Sequence, residues 1–245
     1  MKRCTLFLFS VSLLPAAEDA LGRMWNEKLT YAQRNDACFE LHNNRSPAVI
    51  AALRRALANE QLRACAARQL RETGAVEELK SALADPDADV RVAAVRELGA
   101  MRRLEFAPAL ARMALDAHAL VAVNAVNALG QIEDRAVTPY LLEIAGKGNM
   151  AGVAAFGQAS RFGDPALLPI ARKHLKAGDV AARVIAVRVV GEMGDASDIP
   201  LLREMAAKAE PLTQRGRGFG LMPAIDLARV AQNALERIEA RTSPR

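Results

Sequence analysis

The sequence predicts an all-α chain, a solenoid of about six two-helix repeats behind an N-terminal capping helix. Three observations carry this. Alanine supplies 50 of the 245 residues and aromatics only 4%. Such a set of small and aliphatic side chains packs helices closely and makes poor strands. Four prolines, Pro108, Pro139, Pro169 and Pro200, stand 31, 30 and 31 residues apart. Nine residues before each is a small residue (Gly99, Gly130, Ser160, Gly191), and five before each of those an alanine (Ala94, Ala125, Ala155, Ala186). Landmarks sharing one period of this length mark a repeat array. With 51% hydrophobic and 25% charged residues the chain is globular rather than disordered. The composition excludes a β-sandwich, a β-barrel and a Tyr-rich binding loop, and three cysteines exclude a disulfide-dense miniprotein.

The elements follow in order. Lys2 and Arg3 precede an apolar run from Thr5 to Ala17, broken only by Ser10, Ser12 and Pro15. The run falls short of the about 20 residues that span a bilayer, and reads as the apolar region of a signal peptide over residues 1–17. The expected product is periplasmic or secreted, with no transmembrane segment after signal removal. An uncleaved anchor and a misplaced start codon are the other readings. Cys4 lies before the apolar run, so there is no lipobox. Cleavage would remove Lys2 and Arg3 and lower the formal charge from +5 to +3. It would also leave Cys38 and Cys65 as an even pair in an oxidising compartment. A bridge between them closes a 27-residue loop, worth roughly 3–4 kcal/mol in the chain-entropy model; two buried free thiols are the alternative.

Residues 18–45 form the cap, with Glu18 to His42 reading as one longer helix. The repeats occupy 46–240 and begin near Ser46, Ala75, Leu104, Arg135, Asp164 and Ser197; residues 241–245 form a tail. The first helix of each pair carries its Pro in the first turn, where a missing N–H costs little. Ser46-Pro47 and Asp164-Pro165 are cap-then-Pro starts, and Asp85-Pro86-Asp87 is a turn between helices. Asp87 or Asp89 caps the next helix, as Asp179 does in the fifth pair. The small residue near the end of each second helix is expected to let the chain turn closely. One pair cannot bury its apolar face, so stacked pairs share a core. Cys38 falls on the cap and Cys65 on the first second helix, so the bridge would staple cap to stack.

The segment Asp87-Ala-Asp89-Val-Arg91-Val-Ala-Ala94-Val-Arg-Glu-Leu98-Gly99 resembles HEAT repeats. More narrowly, it looks like the short type named after phycobilisome lyases. The likeness extends over 46–240 and implies a right-handed α-α superhelix of the armadillo type. It is specific for fold and weak for function. The fourth repeat, around Gly148 to Gly157, departs most and lacks the Arg.

Two rows of side chains recur on the second helices. Counting back from the small residue, or from Arg71, which aligns with it in the first repeat, position −8 holds Arg63, Arg91, Ala122, Gly152 and Arg183. At 100° per residue this shares the apolar face, so Arg63, Arg91 and Arg183 are expected to form a structural ladder, pairing with turn aspartates and carbonyls of neighbouring repeats. Position −3 holds Arg68, Arg96, Asn127, Gly157 and Arg188, with Asn233 in the last repeat. It lies on the opposite, exposed face, which in a solenoid is the concave side. Arg68, Arg96, Asn127 and Arg188 are the expected contacts to a protein partner, since Arg forks suit carboxylate or phosphate groups; a solvated helix face is the other reading. The last repeat carries an insertion, residues 211–223, in which Arg215, Arg217 and Phe219 between glycines form a candidate second contact or a tolerated loop.

No catalytic or cofactor site is evident. His42, His118 and His174 fall in separate elements, and no His-Glu pair exists. The paired His-Glu motifs by which deoxyhypusine hydroxylase, a relative of this repeat family, holds iron are therefore not matched. A Gly-x-Ser-x-Gly elbow is also missing, and neither Cys38 nor Cys65 has an evident His partner. The expectation is an exported, non-enzymatic scaffold for protein–protein interaction, without metal or cofactor and without an evident small-molecule substrate. Two other readings are an enzyme or enzyme subunit of the repeat-lyase or hydroxylase type, and a cytoplasmic nucleic-acid-binding protein. The mild charge and the signal-like N-terminus disfavour the latter.

Overall fold

The computed structural model describes residues 13–208, 211–212 and 225–242, with side chains over 17–208 and 226–242. The chain forms two compact units, one ending at Ile132 and one beginning at Glu133.

The first unit opens with α1 (Leu13–Met24) and α2 (Tyr31–Glu40), which pack on each other. The cap is thus two helices, where one was expected. The break is local: Thr30 caps α2 by accepting from the Gln33 N–H while the Gln33 side chain accepts from the Thr30 N–H, a capping box that starts a new helix. Three pairs follow: α3 (Pro47–Ala56) with α4 (Arg63–Thr73), α5 (Val76–Ala82) with α6 (Ala88–Ala100), and α7 (Ala107–Met113) with α8 (Ala119–Gln131). The second helices stack on one another, α2 on α4, α4 on α6 and α6 on α8. Ser46 caps α3 through the Val49 N–H with Pro47 beside it. Asp87, not Asp89, caps α6, accepting from the Asp89 N–H.

The second unit holds three pairs: α9 (Thr138–Ala145) with α10 (Met150–Ser160), α11 (Leu168–His174) with α12 (Val180–Met193), and α13 (Ile199–Ala207) with α14 (Leu227–Thr242). Here α10 packs on α12 and α12 on α14. Two-residue strands β1 (Pro211–Leu212) and β2 (Ile225–Asp226) pair antiparallel where the insertion was expected to be loop throughout. Helix α14 runs to Thr242, so the expected tail is partly helix: Arg241 donates to the carbonyls of Gly191 and Gly194 at 2.8 and 3.0 Å.

The alanine landmarks are the centre of each core. Ala94, Ala125, Ala155 and Ala186 are each 0% exposed. The small residues nine before each Pro have a role other than the turning expected of them. Gly99 and Gly191 lie inside the last turns of α6 and α12, with no left-handed φ. A Cβ on Gly99 would stand 2.8 Å from the Ala128 Cα, and one on Gly191 2.9 Å from the Ala234 Cα. They let adjacent repeats approach. The chain reversals use other positions, Gly74, Arg102, Glu133 and Gly163, whose φ values are 75°, 52°, 59° and 62°. Among the described residues no helix is long and apolar enough to cross a membrane.

Candidate interaction surface on the second helices

In the first unit the inward Arg row is anchored from turn to turn. Arg63 donates to the Leu57 carbonyl at 2.8 Å and to Asp87 at 2.8 Å, and reaches Asp89 at 3.2 Å. One repeat on, Arg91 clasps both oxygens of Asp116 at 2.9 and 3.0 Å, and donates to the carbonyls of Asp85 and Pro86. Each Arg therefore ties its own turn to the turn of the next repeat. The Arg91 and Asp116 side chains are only 16% and 12% exposed. The guanidinium's hydrogen bonds hold the Asp116 carboxyl below the usual carboxylate range, against the upward push of burial.

In the second unit Arg183 is half-buried, one turn into α12 after its cap Asp179, whose carboxylate accepts from the Ala182 N–H at 2.7 Å. The fourth repeat has Gly152 at this position for a steric reason. A Cβ there would stand 2.8 Å from the Lys147 carbonyl oxygen, so backbone occupies the space the Arg takes elsewhere.

The −3 row faces outward in both units. Arg68, Arg96 and Asn127 are exposed on α4, α6 and α8, and Arg188 and Asn233 on α12 and α14. The row is partly engaged already. The Arg68 guanidinium lies 5.9 Å from the centre of the Phe39 ring, within cation–π range. Arg96 donates from Nε to the Asn124 Oδ1 at 2.8 Å. Arg188 and Asn233 line a hollow of about 200 Å³ together with Gly191, Glu192, Val230, Ala234 and Arg237.

Cys38 and Cys65 are joined by a disulfide, with their Cα atoms 6.4 Å apart, so the bridge links α2 to α4. Phe39 and Arg68, whose ring and guanidinium meet, sit one residue and three residues beyond those two cysteines. Arg215, Arg217 and Phe219 lie outside the described residues.

Several ties were not singled out from the sequence. Arg71 meets Glu97 at 2.6 Å between α4 and α6. Arg172 clasps Asp198 at 2.9 Å through both oxygens and reaches Asp195 at 3.0 Å. The Ser197 hydroxyl and N–H, with Arg172 behind them, hold the Asp195 carboxyl at about 2. Asn124 could have been found: it precedes Asn127 by three residues, on the same face of α8. His42, His118 and His174 belong to different elements, His174 stacking on Phe156 at 4.6 Å. Among the described residues no group of three or more His, Cys, Asp or Glu is arranged to hold a metal ion.

Residues 76–159 match the family model for HEAT repeats. No curated protein matches the sequence. Among solved structures, the X-ray structure of Escherichia coli YibA is similar at 18% identity and a TM-score of 0.57, covering 91% of this chain and 82% of that one. The CpcE–CpcF complex of phycocyanin lyase from Nostoc sp. PCC7120 matches at 21% identity and a TM-score of 0.42, over 97% of this chain and all of the other. Human deoxyhypusine hydroxylase in complex with glycerol matches at 15% identity and 0.38, over 92% and 96%. The YibA likeness concerns the fold alone. With the helix pairs and the inter-repeat Arg ties, it gives this chain an all-α fold of stacked two-helix repeats, of which residues 76–159 are similar to HEAT repeats.

Proposed function

We propose that this chain is an exported, non-enzymatic repeat protein that binds another protein through the outward face of its second helices. One observation carries the reading. Two polar rows share the repeat period, and they differ in use. Arg63 and Arg91 are spent on holding turns together, whereas Arg68, Arg96, Asn127, Arg188 and Asn233 stay at the surface without bearing on the core. Within each unit, hydrogen-bonding heads that recur on stacked second helices suit a protein partner surface. Capture from an extract with the full chain as bait tests it. The triple variant Arg68→Glu, Arg96→Glu, Arg188→Glu is expected to lose the captured protein while keeping its helical circular dichroism; undiminished capture overturns the assignment of the face.

Export is supported by the charged and apolar N-terminal segment and by the Cys38–Cys65 bridge, which suits an oxidising compartment. Cleavage after Ala17 would leave α1 its buried Ala20 and Met24. N-terminal sequencing of the native protein is expected to begin near residue 18, and a retained Met1 contradicts export. The non-enzymatic part predicts a colourless, metal-free purified protein; stoichiometric metal or a chromophore in its absorption spectrum contradicts it.

A further inference from the structure

The same helix contact occurs twice, once in each unit, and the two copies differ at two positions beside it. Where α6 meets α8, Gly99 packs on Ala128; where α12 meets α14, Gly191 packs on Ala234. Counting from these contacts, Arg96 corresponds to Arg188, Asn127 to Asn233, Asn124 to Val230 and Gln131 to Arg237. In the first copy the Asn124 carboxamide accepts from Arg96 at 2.8 Å and holds it down. In the second, Val230 offers no acceptor. Among the described residues the Arg188 guanidinium has neither a hydrogen-bond nor an ion-pair partner. Arg237 adds a second cation, tethered only at 3.5 Å to Glu192, with both side chains about half exposed. Asn233 adds an amide, and the backbones pressed together at Gly191 and Ala234 close the floor.

We propose that this hollow is a carboxylate-binding site, which takes an Asp or Glu side chain of an acidic segment of the partner protein between Arg188, Asn233 and Arg237. The inference rests on the reading that the second-helix face binds protein, and names the chemistry recognised there. Two planar guanidinium forks and an amide donor match the oxygens of a carboxylate. Glu192 decides between anions. Its own charge repels the dense charge of a nucleic-acid backbone, but a single incoming carboxylate can displace it from Arg237. Glu192 thus acts as a weak internal competitor that is exchanged for the partner's acid.

The test selects binders to the full chain from a random twelve-residue peptide library and measures the affinity of a selected peptide by fluorescence anisotropy. Asp and Glu are expected to be enriched, and Arg188→Gln to weaken binding about ten- to hundredfold, the scale of a lost charge-assisted bond. Val230→Asn, which rebuilds the acceptor of the first unit and removes no charge, is expected to weaken it several-fold. Glu192→Gln is expected to tighten it up to about fivefold at low salt, as for a lost exposed ion pair. Thermal melts check that each variant is folded. Selected peptides without acidic residues, affinity unmoved by Arg188→Gln, weaker binding in Glu192→Gln, or a single-stranded oligonucleotide that binds more tightly than the peptide would each overturn the site. Loss of peptide binding in Arg68→Gln and Arg96→Gln but not in Arg188→Gln would overturn the hollow and leave the wider face standing. Capture unaffected by the triple Glu variant would remove the face itself.

Discussion

Arg91 makes four hydrogen bonds, two to Asp116 and two to the carbonyls of its own turn. A guanidinium so placed satisfies backbone oxygens that the turn would otherwise leave to solvent, and it also fixes the next repeat. Removing one partner takes the charged ligand from the other: Arg91 keeps only the carbonyls of Asp85 and Pro86, and Asp116 only the His118 N–H. Asp116→Asn is therefore expected to cost about 1–3 kcal/mol at neutral pH, read as a lower melting temperature. The pH dependence has a definite sign. The folded carboxyl is held below its ordinary value of 3.8, chiefly by Arg91. Its contribution is thus full above that value and fades as the pH falls through the depressed one. The gap in melting temperature between wild type and Asp116→Asn should be widest at pH 7 and close towards pH 3; a gap constant with pH contradicts the pairing. At this scale the sequence was legible where side chains repeat. Arg63, Arg91 and the outward row were found by period alone. Arg172 with Asp198 and Arg71 with Glu97 occur once each, each partner lying 26 residues away, so no local pattern announced them.

Helix ends and helix contacts divide the small residues between two tasks. Gly74 and Gly163 serve reversals that need a left-handed backbone, and Arg102 and Glu133 occupy the same kind of position at the steric cost of a Cβ. Gly99 and Gly191 serve close approach inside helices. The two classes respond in opposite directions. Gly99→Val puts its side chain into the backbone of α8 and is expected to destabilise by about 1–3 kcal/mol or more. Arg102→Gly relieves a left-handed residue and is expected to be neutral or to stabilise by up to about 1 kcal/mol, as read by denaturant midpoints. A destabilising Arg102→Gly of the same size as Gly99→Val contradicts the division. The sequence revealed the six pairs and the places of their prolines, because a Pro in a first turn and a Ser or Asp cap are local signals. It misassigned the glycines, since a glycine needed for its neighbour in space looks the same as one needed for its own φ. It also read one cap helix where Thr30 and Gln33 start a second, because the apolar residues of α1 and α2 run on without a Gly or Pro between them.

On the scale of the whole molecule, the 31-residue period does not mark the division at Ile132 and Glu133; the repeat continues across it in sequence. The bridge between Cys38 and Cys65 lies wholly in the first unit. Reduction is expected to remove about 3–4 kcal/mol from that unit and to leave the second unchanged. Hydrogen exchange under a dithiol reductant should therefore accelerate in α2 and α4 but not in α12 and α14, and uniform acceleration contradicts a local staple. Partner choice was the least legible property. The row's position follows from helical geometry, while the binding proposed for it turns on whether a neighbour such as Asn124 or Val230 stands beside each Arg.

The central claim is that binding uses the outward face of the second helices. The most direct measurement is amide hydrogen exchange on the full chain, alone and with its captured protein partner. The account predicts slowed exchange in the second helices, α12 and α14 among them, with the first helices α3, α5, α11 and α13 unaffected. Protection confined to the first helices would contradict it.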